Sequence, residues 1–144
     1  MFRHILLPID DSPVSRKAAR KAIAFAKEIG ARITGYHALP SAHNIYGDGY
    51  RFPPSGSLKK DVREARAHFI EGTARAALDA GVRFDSLVDR AITPDEGIVE
   101  AARTRNCDVI FIGTNGRRGL ARLALGSVTS KVLTRAGVPV LVYR

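Results

Sequence analysis

The chain has a single cysteine, Cys107, a single methionine and no tryptophan in 144 residues. One cysteine excludes an intramolecular disulfide and any cysteine-based zinc site, so stability has to come from an apolar core. No apolar run approaches the roughly 20 residues that a membrane-spanning helix needs. The opening stretch MFRHILLPID meets a carboxylate at Asp10 too early for a secretory signal. A cytoplasmic protein without a membrane partner is the expectation. The four histidines (4, 37, 43 and 68) show no paired ligand spacing, and no protein-held metal is expected. Acidic residues are also scarce. Fourteen Asp and Glu stand against 23 Lys and Arg, a net charge of +9 and a pI near 10.3. That balance favours polyanionic partners. The signatures of a helix-turn-helix or an RNA-binding sheet are missing, however, so no specific nucleic-acid recognition is expected. Arg16, Lys17, Arg20 and Lys21 fall on the polar side of one helix and read as a solvated face.

What is present is the pattern of one ordinary α/β domain over residues 1–144, with no linker and no internal repeat. Ile5 to Ile9 is an apolar run broken only by Pro8, hence a first strand. Ser12 suits an N-cap and Pro13 the first helical position. Ala18, Ala22, Phe25, Ala26 and Ile29 then recur at helical spacing up to Gly30. Residues 32–39 read as a second strand. Residues 40–57, rich in glycine and proline with Tyr46, Tyr50 and Phe52, read as a long loop that either folds over a ligand or is an insertion. A helix follows over 58–80, with Leu58, Val62, Phe69, Ala77 and Leu78 on or near one face and Gly81 as its stop. Residues 83–91 mix Phe84, Leu87 and Val88 with charge, which suits an edge strand. Thr93-Pro94-Asp95-Glu96 has the spacing of a capping box. Cys107 precedes a fourth strand from Val109. Val128, Val132, Leu133 and Ala136 carry a last helix ending at Gly137, and residues 138–143 form a fifth strand. Alternating strands and helices imply a parallel sheet with helices on both faces.

The stretch VIFIGTNGRRGLARLALGSVT, residues 109–129, carries the chemistry. A buried strand runs into Gly113 and Gly116, and Gly126-Ser127 opens a helix. Glycine permits close backbone approach or a positive φ, and the free amides of a helix's first turn attract anions. The hydroxyls of Ser127 and Thr129 add donors. The segment is neither a Walker loop nor the dinucleotide GxGxxG.

The spacing G-x2-G-x9-G-S from Gly113 to Ser127 resembles the phosphate-loop pattern of the ATP-binding branch of the universal stress protein family. The resemblance runs from ILLPIDDS at residues 5–12 to VPVLVYR at 138–144. It implies a doubly wound, Rossmann-like five-stranded sheet in the order 3-2-1-4-5. In that order, strands 1 and 4 flank a ligand crevice at their carboxyl ends. It also implies that Asp10 and Pro8 contact adenosine with the Ala38 backbone beside the base. The phosphates would rest on Gly113, Gly116, Gly126, Ser127 and Val128, aided by Thr129, with Ile112 and Arg117 completing the set. Mg2+ would enter with the phosphates of ATP. The family commonly pairs its last strand across a two-fold axis, which implies a homodimer through residues 138–144 besides some unknown protein partner. Asn115, where many members carry histidine, and the pair Arg117-Arg118 depart from the pattern without touching the spaced glycines. No residue is placed to orient an attacking water, so a regulatory binding module is favoured over a dedicated ATPase. A slow ATPase and a nucleotide-free scaffold are the alternatives, the scaffold leaving the glycine spacing unexplained.

Overall fold

A computed structural model describes residues 1–41, 54–114 and 125–144. Five parallel strands, β1 (His4–Pro8), β2 (Arg32–Pro40), β3 (Phe84–Ala91), β4 (Val109–Gly113) and β5 (Val140–Tyr143), form one sheet in the order β3-β2-β1-β4-β5. The order agrees with that implied by the resemblance. Helices α1 (Pro13–Ile29), α2 (Leu58–Ala65) and α3 (Glu71–Asp79) cover one face, while α4 (Pro94–Thr104) and α5 (Ser127–Arg135) cover the other.

The central strands are apolar at consecutive positions because both of their faces are covered. Ile5 and Leu7 of β1 point to the α1 side and Leu6 to the α4 side. In β4, Val109 and Phe111 oppose Ile110 and Ile112 in the same way. Helix α1 lies close on the sheet through Ala18, Ala19, Ala22 and Ala26, all buried. Gly113 makes that approach possible, since a Cβ there would come within 3.0 Å of the Ala18 Cβ and 3.1 Å of the Val14 carbonyl oxygen.

Local signals hold at several termini. Ser12 caps α1 by accepting the Ser15 N–H at 3.2 Å. Gly30 at φ +69° and Gly81 at φ +75° turn the chain after α1 and α3. Elsewhere tertiary contacts override them. The expected helix over 58–80 is interrupted by one π-helical turn, Arg66–Ile70. That turn rotates Phe69 and Ile70 into the core, while Leu58 and Leu78, expected on the apolar face, stay exposed. Thr93 occupies the N-cap of α4, but its hydroxyl makes no capping bond and is buried without a partner. Glu96 turns instead toward Arg135, 3.4 Å away at the end of α5. The last helix ends on Ala136 in extended conformation rather than at Gly137, and Leu133 on it is exposed. β5 begins at Val140, two residues later than expected. Pro139 has no N–H to give the ladder, and only its carbonyl takes part, accepting from Ile110 at 3.0 Å.

Gly97 sits within α4, where alanine is normally favoured by ~1 kcal/mol. Here a Cβ would stand 2.1 Å from the Tyr36 hydroxyl and 2.8 Å from the Ala91 Cβ. Tyr36 is buried and held by donating to Asp89 at 2.8 Å, so it has nowhere to go. Overpacking costs about 1–3 kcal/mol and outweighs the propensity gain. Gly97→Ala should lower the urea midpoint; an unchanged or raised midpoint would show that the sheet yields.

Candidate functional site

β1 leads into α1 on one face and β4 leads toward α5 on the other, which sets a crevice between their carboxyl ends where the strand order reverses. A cavity of about 360 Å³ lies there. That volume falls in the range of small-molecule pockets, roughly 300–1,000 Å³. Seven residues singled out from sequence line it: Pro8, Asp10, Ala38, Ile112, Gly113, Val128 and Thr129. Gly126 and Ser127 stand two residues and one residue before Val128, at the start of α5, without lining the cavity itself. Gly116 and Arg117, like Asn115, Arg118, Arg122 and the aromatic residues at 46, 50 and 52, lie outside the described residues.

The Asp10–Ser15 turn is built from short-range bonds. The Asp10 N–H donates to Ser15 Oγ at 3.0 Å, and Asp10 Oδ1 accepts the Ser12 N–H at 2.8 Å. Ser12 therefore caps the helix while Asp10 shapes the loop before it. The Asp10 residue stays exposed at the cavity edge.

The opposite wall is the start of α5. Gly126 is the N-cap, and among the described residues no side chain caps this helix. Ser130 N–H is the first amide bonded back into the helix, to the Gly126 carbonyl at 3.0 Å. The amides of residues 127–129 therefore precede the helical ladder, the arrangement that attracts anions. Gly126 has an ordinary φ of −59°, and Gly113 is not among the positive-φ glycines. Of the two uses of glycine expected here, a positive φ is therefore not the one made at these two positions. Their lack of a side chain serves close approach.

Thr114 is a residue of this wall that sequence reasoning misses. It is buried, and its Oγ1 accepts the Gly126 N–H at 2.9 Å while its own N–H donates to the Tyr143 carbonyl at 2.8 Å. It thus pins the end of β4 to both α5 and β5. A hydroxyl directly after the strand glycine is the available signal. Its partner twelve residues on is not readable.

His37 forms part of the floor. Its Nδ1–H donates to the Ile9 carbonyl at 2.7 Å, and its ring stacks on Phe69 of the π-helical turn at 3.9 Å between centroids. Burial holds its pKa below the ordinary 6.5, against the opposing pull of the Ile9 carbonyl, Asp10 and Asp11. The buried His4, whose Nε2 bonds Thr34 Oγ1 at 2.7 Å, is lowered by burial first and by Arg32 second. The unfolded chain therefore binds more protons than the folded one below about pH 6.5. Stability from these groups is complete above that pH and is lost as pH falls through it toward the folded values. Urea midpoints measured at about pH 7.5 and 5.5 should drop, and drop less in His37→Gln; an equal drop would rule His37 out. Cys107, by contrast, is pushed up to about 12, mainly by burial, and is unreactive near neutrality.

A second groove, of about 400 Å³, opens across the Asp10–Asp11 turn between α1 and α3, with Arg16, Arg20, His68 and Thr73 on its walls. The helix that starts beside it, α1, already has its first turn capped by Ser12. Among the described residues no group of three or more His, Cys, Asp or Glu is arranged to hold a metal.

Fold and cleft together define a doubly wound α/β protein with a ligand-sized crevice at its topological switch point. The chain belongs to the universal stress protein family, whose model matches residues 1–144. It is 35% identical over 144 residues to a universal stress protein of Thermus aquaticus, with both chains covered completely. Universal stress protein MJ0577 of Methanocaldococcus jannaschii is 31% identical over 156 residues, covering 100% of this chain and 96% of that one. The solved MJ0577 structure superposes with a TM-score of 0.77 at 26% identity, covering 99% of this chain and 95% of that one. The universal stress protein of Archaeoglobus fulgidus, solved in complex with dAMP, shares the fold at a TM-score of 0.69 and 19% identity, covering 100% of this chain and 98% of that one.

Proposed function

We propose that the cleft binds ATP and that the protein is a nucleotide-responsive regulatory module rather than a dedicated enzyme. The observation that carries the reading is the uncapped first turn of α5 facing the carboxyl ends of β1 and β4 across one cavity. The adenosine lies along Pro8, Asp10, Ala38 and Ile112, with the Asp10 carboxylate accepting from the ribose. The phosphates lie toward Gly113 and Gly126 and on the free amides of residues 127–129, with Thr129 hydroxyl support. Mg2+ arrives on the phosphate oxygens, as is usual for this cation. A universal stress protein of the same fold was solved with dAMP, which supports a nucleotide in such a cleft.

With four tyrosines and no tryptophan, the protein absorbs weakly at 280 nm, and a co-purified nucleotide shows as excess absorbance at 260 nm. Calorimetry with ATP and magnesium should give saturable heat. Asp10→Ala removes one charge-assisted hydrogen bond, so affinity should fall about ten- to a hundredfold. The ratio of ATP to ADP affinity should stay unchanged. Neither an absorbance excess nor heat in the wild type would end the nucleotide reading. Turnover on the order of 1–1,000 per second would instead make the protein an ATPase.

A further inference from the structure

The outer face of α1 carries Arg16, Lys17, Arg20, Lys21 and Lys27, all exposed, and Glu28 is the only acid in the helix. Five cations against one acid give α1 a charge of +4, close to half of the chain's +9. Several cations elsewhere on the surface sit against carboxylates, as in Lys60–Glu64, Arg90–Asp61, Arg103–Glu100 and Arg135–Asp95. Among the described residues, Lys17, Arg20, Lys21 and Lys27 make no ion pair, and Arg16 donates only to the Asp11 carbonyl.

This arrangement works against the helix itself. Like charges stand four apart at Arg16/Arg20 and Lys17/Lys21, and three apart at Lys17/Arg20, all mutually repulsive. The first turn contains no acid to complement the helix dipole, and cations follow it directly. Locally unfavourable choices that persist on a rigid element point to a partner outside it.

We propose that this face of α1 is a docking strip for the phosphate backbone of a nucleic-acid duplex, read without sequence preference. The cations form two rows, Arg16-Arg20-Lys27 and Lys17-Lys21, with about 6 Å between residues four apart, and the strip extends about 16 Å along the axis. That spacing is comparable with the separation of neighbouring phosphates on one strand. No large apolar side chain lies among the cations, and the apolar side of α1 is buried against the sheet. A membrane-surface helix would need that apolar side for insertion, so an anionic membrane is disfavoured. The strip lies outside the nucleotide cleft, and the proposal stands independently of it.

The test uses the full chain and a fluorescently labelled 20-base-pair duplex of arbitrary sequence. Binding should be measurable at 50 mM salt and fall roughly a hundredfold or more by 200 mM, a log–log slope near −4 for four to five neutralised phosphates. Neutralising Lys17, Arg20 and Lys21 together to Gln should flatten the slope by about 2–3. Neutralising Arg63, Arg83 and Lys131, the same charge removed elsewhere, should leave the slope close to wild type. Circular dichroism and ATP calorimetry on each variant separate a folding defect, or a failed nucleotide cleft, from loss of the strip. Three results would each overturn the proposal: no binding at 50 mM salt, equal loss in the two triple variants, or preferential capture by phosphatidylserine vesicles.

Discussion

Gly126→Val should abolish ATP binding while leaving the fold intact. Gly126 is the N-cap of α5 at φ −59°, ψ 156°, a backbone conformation that valine tolerates, so no folding penalty from positive φ arises. A Cβ there would stand 3.3 Å from Thr114 Oγ1, a tight contact at the hydroxyl that fixes the Gly126 amide. The branched side chain would sit at the mouth of the helix, where the phosphates of the proposed complex approach the backbone. Loss of three charge-assisted bonds, each worth roughly 1.5–3 kcal/mol, weakens affinity more than a thousandfold. Ser127→Ala removes one such partner and should cost correspondingly less. Calorimetry with ATP and magnesium reads both, and circular dichroism checks the fold. Wild-type affinity in a folded Gly126→Val would place the phosphates elsewhere.

The second large effect concerns assembly, which we propose to be a homodimer through the β5 edge. Among the described residues, β5 pairs with β4 on one side only. The carbonyls of Pro139 and Tyr143 accept from Ile110 and Thr114. In a strand these directions alternate, so the backbone groups of Val140 and Val142 face the open edge. Leu141 and Tyr143 pack on one side of the sheet and Val140 and Val142 on the other. A short apolar edge of this kind is a pairing surface unless covered. Val142→Pro removes an outward N–H without taking a donor from the β4 ladder. The wild type should sediment as a dimer at micromolar concentration and Val142→Pro as a monomer that still binds ATP. A monomeric wild type would refute the dimer. A dimeric Val142→Pro would move its interface away from β5.

The sequence by itself determined the order and kind of the elements, because the signals for these are local. Consecutive apolar residues at 5–7 and 109–112 require a strand covered on both faces. Ser12-Pro13, Gly30 and Gly81 set helix ends through bonds or dihedrals within a few residues. The mixed charge of 83–91 marked β3 as an edge strand, as found. The glycine spacing, read with the family resemblance, placed Asp10 and Gly113 on one crevice. Tertiary structure alone decided the rest. Thr114 and Gly126, Gly97 and Tyr36, and His37 and Phe69 are pairs whose members lie on different elements, and no periodicity relates them. The charges of β3 had a second use that sequence could not show: Asp85 and Asp89 accept from Thr34 and Tyr36 of β2. At Thr93 the capping spacing was present, yet the pull of Arg135 on Glu96 and Asp95 drew the acidic partners to another helix. Side-chain hydrogen bonds depend on register between distant segments, and register is set only when the sheet has assembled.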